Sequence, residues 1–216
     1  MIIVTAAEMR AADEATASLR GIESYLLMER AGAAVVAALL ALQKDRSVLF
    51  VVGGGNNGGD GYVAASALRR AGWSVRLLAL KPLEALHGDA ARAASAFLAG
   101  GGVIELYSEA TAVSLEQSLR DNPPAIVVDG IFGTGFRPPV QGTAVAAIGL
   151  IEKLREHSGS YVVAIDLPSG LDSDAGEVGG ELPPSRALVA GKPLTHVGRE
   201  LGRQGLVARP PVDGDH

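Results

Sequence analysis

Four short apolar runs, separated by stretches of helical length, set the narrowest limit on what this chain can fold into. Residues 48–52 (Val-Leu-Phe-Val-Val), 75–80, 126–128 and 161–165 have strand length, and the first and third contain no polar residue. A strand with one wet face alternates apolar and polar residues, whereas a strand covered on both faces reads as an unbroken apolar run. Between the runs, 62–71, 84–98, 111–119 and 143–155 read as helices, and Val103-Ile104 opens one further short strand. The alternation predicts an α/β fold. In it a doubly wound, mostly parallel Rossmann-like sheet lies between two helical layers, as a three-layer α/β/α domain.

Two extra helices precede this pattern. Thr5 and Glu8 have capping-box spacing, and 24–42 is a second amphipathic stretch. Ala31, Ala33, Ala34, Ala37 and Ala38 in it would permit close packing against a sheet or a second subunit. Leu188-Val-Ala190 and Leu206-Val-Ala208 are weaker strand candidates. With no internal repeat and no linker, residues 1–216 read as one domain whose 177–216 part is atypical and shortened.

Composition removes several function classes. The chain has no cysteine, so it offers no disulfide framework, thiolate metal site or catalytic thiol. Net charge is −5 and no Lys/Arg cluster is present, which argues against nucleic acid as a partner. The longest apolar run, 31–42, falls short of the ~20 residues a membrane span needs. No basic segment with a small-residue cleavage site opens the chain, so a cytoplasmic protein with no membrane partner is expected. Glycine is high, 28 of 216 residues. Yet there is no Gly-X-Y period and 48% of residues are hydrophobic, so the glycines punctuate an ordered fold. Thirteen of them fall in 53–61, 130–135 and 170–180, at or just beyond the ends of three predicted strands, where open α/β sheets bind ligands.

The first cluster, Gly53-Gly-Gly-Asn-Asn-Gly-Gly-Asp-Gly61, satisfies G-x-G-x-x-G between a strand and a helix. The acid that reads a ribose ~20 residues on is missing, because the next strand ends at Leu80 and Lys81. No Gly-Lys-Ser/Thr follows, so it is not a Walker A loop. What remains is a glycine loop feeding a helix N-terminus, able to present backbone N–H groups to a phosphate, with Asn56, Asn57 and Asp60 adding polar side chains. A tight turn is the simpler reading, but nine consecutive turn-type residues favour a ligand loop.

The second segment, Val128-Asp-Gly-Ile-Phe-Gly-Thr-Gly-Phe136, places Asp129 at a strand end. Asp129 either reaches a ligand or only caps its turn. Phe132 and Phe136 could stack on a flat ring, although core packing suits any single aromatic better. The third, Ala164-Ile-Asp-Leu-Pro-Ser-Gly-Leu-Asp172, places Asp166 likewise. Ser169 lacks a nucleophile elbow and an activating histidine, so it is not read as a nucleophile. Asp172 and Asp174 read as one turn residue and one solvated residue. Asn57, Asp129, Asp166 and Ser169 together are an all-oxygen set suited to a hard cation. Of the histidines, His87 reads as helical, His157 as part of a polar connection, and none has metal-ligand spacing.

These segments, with Thr5-Ala-Ala-Glu-Met-Arg-Ala-Ala-Asp13 and Leu27-Met-Glu-Arg-Ala-Gly32, resemble the NAD(P)H-hydrate epimerase family, the YjeF N-terminal domain, over residues 1–176. Asn56-Asn-Gly-Gly-Asp-Gly61 is the most specific part. The resemblance implies an isomerase of metabolite repair that interconverts the R and S forms of hydrated NADH and NADPH (NADHX and NADPHX). A partner dehydratase then consumes one epimer. It implies that Asn56, Asn57, Gly58, Gly59 and Asp60 bind the nucleotide together with Gly133, Thr134, Gly135, Phe136, Arg137, Pro138 and Pro139. It further implies one potassium ion per subunit on Asn57, Asp129 and Ser169, Asp166 facing the nicotinamide as acid/base, and a homodimer through the N-terminal helices. The chain departs from the family where Gly54 replaces the usual proline. It departs again after the Asp-rich loop, where Leu188-Val-Ala-Gly-Lys-Pro193 stands for a longer closing part. Two other functions compete: a nucleotide- or protein-binding module of the same fold without turnover, and a dehydrogenase, which the missing ribose acid and the lack of a substrate domain weaken.

Overall fold

The computed structural model describes residues 23–175 and 188–190, with three isolated positions, Glu8, Ala11 and Gly21, before them. One sheet holds β1 (Ser47–Val52), β2 (Ser74–Ala79), β3 (Glu105–Leu106), β4 (Ile126–Gly130), β5 (Tyr161–Ile165) and β6 (Leu188–Ala190). The strand order is β3-β2-β1-β4-β5-β6 and every pairing is parallel. Around it lie α1 (Ser24–Ala41), α2 (Asn56–Arg70), α3 (Gly88–Ala99), α4 (Glu109–Asp121) and α5 (Thr143–Ser158), with a 3-10 turn at Leu83–Ala85. The doubly wound sheet expected from the apolar runs is present. The first extra helix, after Thr5, and the strand expected at 206–208 lie outside the described residues, apart from helical Glu8 and Ala11.

The apolar runs are unbroken because alternate residues serve two cores. Val48, Phe50 and Val52 of β1 join Met28, Leu39, Leu68 and Ala93 on the α1–α3 side. Leu49 and Val51 join Leu119, Ala147 and Ile151 on the α4–α5 side. The split repeats at β4 (Ile126 and Val128 against Val127) and at β5 (Val163 and Ile165 against Val162 and Ala164). Neither face can carry a polar register without burying it unpaired.

Helix α1 is longer than the apolar run 31–42 suggests. By length and composition alone it would suffice to cross a membrane. Its buried residues Tyr25, Met28, Gly32, Val35 and Leu39 recur at helical spacing, however, and form a stripe that packs on α2.

Two helix boundaries differ from the sequence reading. Helix α2 starts at Asn56, not at 62, so only Gly53–Gly55 is loop and the rest of the glycine cluster is helical. Each helical glycine costs about 0.5–1 kcal/mol relative to alanine. The glycines are tolerated because neighbours occupy the space a side chain would need: Met28 beside Gly59 and Val52 beside Gly61. The stretch 84–98 is broken, with the 3-10 turn ending before Gly88, whose φ of +56° starts α3. His87 therefore sits at the N-cap of α3, and His157 lies in the last turn of α5 with Nδ1 3.1 Å from the Lys153 carbonyl oxygen.

The two-residue edge strand β3 is secured by a side-chain fork. Arg76 of β2 donates Nε to Glu105 Oε1 at 3.1 Å and Nη2 to Oε2 at 3.0 Å, with Nη1 on Ser118 Oγ at 3.1 Å. Lysine cannot reproduce the fork. Because both side chains are about one-third exposed, Arg76→Lys is expected to lower the urea unfolding free energy by only about 0.5–1 kcal/mol.

Candidate active site

Strand order reverses beside β1, whose neighbours are β2 on one side and β4 on the other. At such a switch point, ligands bind beyond the carboxyl ends of the strands. The three glycine-rich segments follow β1, β4 and β5, which are consecutive in the sheet, so the fold brings all three together. Gly53 N–H donates to the Gly130 carbonyl at 3.1 Å and ties the first segment to the second.

Asp129 sits near the end of β4 between Val51 and Ala164 and is fully buried. Its Oδ1 accepts from Ile131 N at 3.2 Å and from Ser169 Oγ at 2.5 Å, and its Oδ2 accepts from Ser169 N at 2.8 Å. It caps its own turn, and it also latches the Pro168–Gly170 turn after β5 onto β4. Phe132 N–H donates to Ser169 Oγ at 3.0 Å, and Asn57 Nδ2 donates to the Phe132 carbonyl at 2.8 Å. Asn57, Asp129 and Ser169 thus form one connected set through the main chain of Phe132. Ser169 is only 1% exposed, consistent with a buried ligand or latch and not with an attacking hydroxyl.

Asp166 immediately follows β5 and is different in kind. It is half-buried, its φ is +68°, and Thr134 N–H donates to its Oδ2 at 2.8 Å. Its Oδ1 has no hydrogen-bond partner among the described residues. Positive φ is uncommon outside glycine but tolerated by aspartate, and such strain gathers at functional sites. The approach of Thr134 depends on Gly133. A Cβ there would stand 2.8 Å from Asp166 Oδ2 and 3.3 Å from Asn57 Oδ1. The two oxygens flank Gly133, while Asp129 is sealed below. Of the two strand-end carboxylates, Asp166 is the one with exposed surface.

The remaining candidates fall into three places. Gly133 and Thr134 flank Asp166, whereas Gly135, Arg137, Pro138 and Pro139 are exposed along the β4–α5 loop. Arg137 pairs with Asp174 at 3.2 Å and donates to the Phe136 carbonyl at 2.8 Å. Phe136 is 8% exposed, Phe132 is half-buried, and their rings stack with centroids 4.7 Å apart. In α2, Asn56 is exposed, Asp60 half-buried, and Gly58 and Gly59 buried. No side chain caps the N-terminus of α2 at Gly55 and its first turn holds no acid, which leaves its positive end suited to a phosphate. Asp172 is a turn residue. The backbone N–H of Ala175, then that of Asp174, holds its carboxyl below the usual carboxylate range. Asp174 pairs with Arg137 and is not merely solvated. The sequence gives no sign of the Phe132 and Thr134 main-chain groups, because backbone donors carry no residue-type signal.

Among the described residues no three His, Cys, Asp or Glu side chains gather as metal ligands. The set available is one carboxylate with neutral oxygens. Ser169 Oγ keeps a lone pair after accepting from Phe132. Asn57 keeps its Oδ1 after donating through Nδ2. Hard oxygens with a single charge suit a weakly held, hard cation better than a transition metal.

A family model described as YjeF-related protein N-terminus matches residues 24–193 of the chain. The chain is 33% identical over 154 residues to the NAD(P)H-hydrate epimerase of Rhodopirellula baltica, covering 71% of this chain and 59% of that one. It is 36% identical over 178 residues to the NAD(P)H-hydrate epimerase of Limosilactobacillus fermentum, covering 82% and 79%. Against the bifunctional NAD(P)H-hydrate repair enzyme Nnr of Moorella thermoacetica it is 37% identical over 181 residues, or 82% of this chain but 33% of that longer protein. The crystal structure of yeast ynu0 shares the fold, with a TM-score of 0.73 at 23% identity over 88% of this chain and 79% of that one.

Proposed function

Because the chain belongs to the family of YjeF-related protein N-termini, we propose that it interconverts the R and S epimers of NADHX and NADPHX. The observation that carries this reading is the pair of unlike carboxylates at adjacent strand ends: Asp129 buried with three donors on it, Asp166 half-exposed with one oxygen held and the other open. Epimerisation at a hydrated nicotinamide needs one group of the second kind. The lone pair of the ring nitrogen expels hydroxide from the adjacent carbon, leaving a planar iminium-like cation. Water returning to the opposite face inverts the centre.

Asp166 delivers a proton to the departing hydroxide and takes one from the incoming water, and its negative charge stabilises the cation between those events. Thr134 N–H fixes Oδ2, which leaves Oδ1 to carry the proton. The uncapped α2 terminus takes a phosphate, with Asn56, Asn57 and Asp60 beside it, and the 133–139 loop lies along the dinucleotide. Asn57 Oδ1, Asp129 and Ser169 Oγ would hold one potassium ion per subunit. When bound, the ion supplies a positive charge that balances Asp129 and orders the turns on either side. Exposed Leu26, Ala33, Ala34, Ala37 and Leu40 on the outer side of α1 support a homodimer through this helix. The bifunctional name of the longer relatives supports a dehydratase as functional partner.

The test is coupled turnover. With the chain, a dehydratase that accepts one epimer, potassium and a mixed NADHX sample, both epimers are expected to disappear. Loss of one epimer alone would leave a binding module without turnover.

A further inference from the structure

At the end of β2 the chain carries Lys81 where dinucleotide folds of this strand order place the residue that reads the adenosine ribose. Leu80 N–H donates to the Val52 carbonyl at 2.9 Å, carrying the β1–β2 pairing past Ala79 and holding Lys81 beside the Gly53–Gly55 turn. The lysine stem lies over that turn. A Cβ on Gly54 would stand 3.1 Å from Lys81 Cγ and 3.5 Å from Lys81 Cβ, so the glycine makes room for the stem. Lys81 is exposed and has no ion-pair or hydrogen-bond partner among the described residues. Arg137, by contrast, is engaged by Asp174 and by the Phe136 carbonyl on the β4 side. The nearest acid along the chain, Glu84, lies three residues on in the 3-10 turn.

The direction of a bound dinucleotide follows from the sheet. Asp166 lies beyond β5 and takes the nicotinamide, and the α2 terminus beyond β1 takes a phosphate. The adenosine therefore extends toward β2, roughly 14 Å from β5 at ordinary strand spacing. An acid at that edge would accept a hydrogen bond from a ribose 2′-hydroxyl and repel a 2′-phosphate, whereas a cation does the reverse. Building on the reading of the chain as acting on hydrated nicotinamide dinucleotides, we propose that Lys81 is a specificity-determining residue that pairs with the ribose 2′-phosphate and makes NADPHX the preferred substrate.

Two measurements on the full chain test this. The first is kcat/KM for NADPHX and for NADHX at low ionic strength. The ratio is expected to favour NADPHX and to fall about five- to tenfold in Lys81→Gln, through KM, while Lys81→Arg keeps most of it. Added salt should shrink the wild-type ratio, since the pair is exposed. The second is calorimetric affinity for adenosine 2′,5′-bisphosphate against adenosine 5′-monophosphate, which needs no turnover. The same fall in preference is expected in Lys81→Gln. Equal losses for both ligands, or an unchanged ratio, would overturn the role of Lys81 and leave the epimerase reading standing. Bisphosphate preference in a chain without epimer exchange would keep Lys81 and overturn the epimerase reading.

Discussion

Asp166→Asn is expected to lower kcat for epimer exchange by about 10²- to 10⁴-fold while KM changes only a few-fold. The substitution keeps the shape of the side chain. Thr134 N–H can still donate to the amide oxygen, and asparagine tolerates a φ of +68° as well as aspartate does. The turn after β5 therefore keeps its conformation, and thermal unfolding should move by no more than a few degrees. What is lost is the ability to give and take a proton and the charge facing the cationic intermediate. A variant that folds normally yet retains more than a tenth of the wild-type kcat would remove Asp166 from the chemistry. Isotope-labelled proton NMR of the two epimers reads the exchange directly.

Asp129→Ala is expected to act mainly on the fold. The carboxylate has no exposure and accepts from Ile131 N, Ser169 N and Ser169 Oγ. Removing it leaves two buried backbone donors and a buried hydroxyl without their acceptor, each costing on the order of 1–3 kcal/mol before any relaxation. A total loss of about 3–5 kcal/mol in urea unfolding follows, since waters entering the gap recover part of the sum. Because Asp129 also joins β4 to the turn that carries Ser169, activity should fall with it, and added potassium should not restore it. Ser169→Ala removes the hydroxyl but spares the backbone donor to Asp129, so it should cost less stability than Asp129→Ala. An Asp129→Ala protein as stable as the parent would contradict the latch.

The sheet was legible in the sequence because burial on both faces leaves an unmistakable mark, as in 48–52 and 126–128. Leu188-Val-Ala190, a weaker candidate in the sequence, is a strand of three residues. The start of α2 was not legible. Asn56 to Gly61 has the composition of a loop, and the packing of Met28 beside Gly59 and Val52 beside Gly61 is not contained in local propensity. The break at Gly88 was missed because a periodic apolar pattern continues across it. At the site, Asp129 and Asp166 were both visible as acids ending apolar strands. The physical difference between them, three donors on one and an open oxygen on the other, required the structure. So did the main-chain bridge through Phe132 and the Thr134 contact.

Under the proposed function, inversion proceeds by loss and return of water at a carbon facing Asp166. It is tested most directly by incubating one purified NADPHX epimer with the chain and potassium in ¹⁸O-labelled water, against a sample without protein. The opposite epimer is expected to appear faster than in the control and to carry the solvent oxygen on its hydroxyl. Inversion that retains the original oxygen, or no inversion beyond the control, would contradict it.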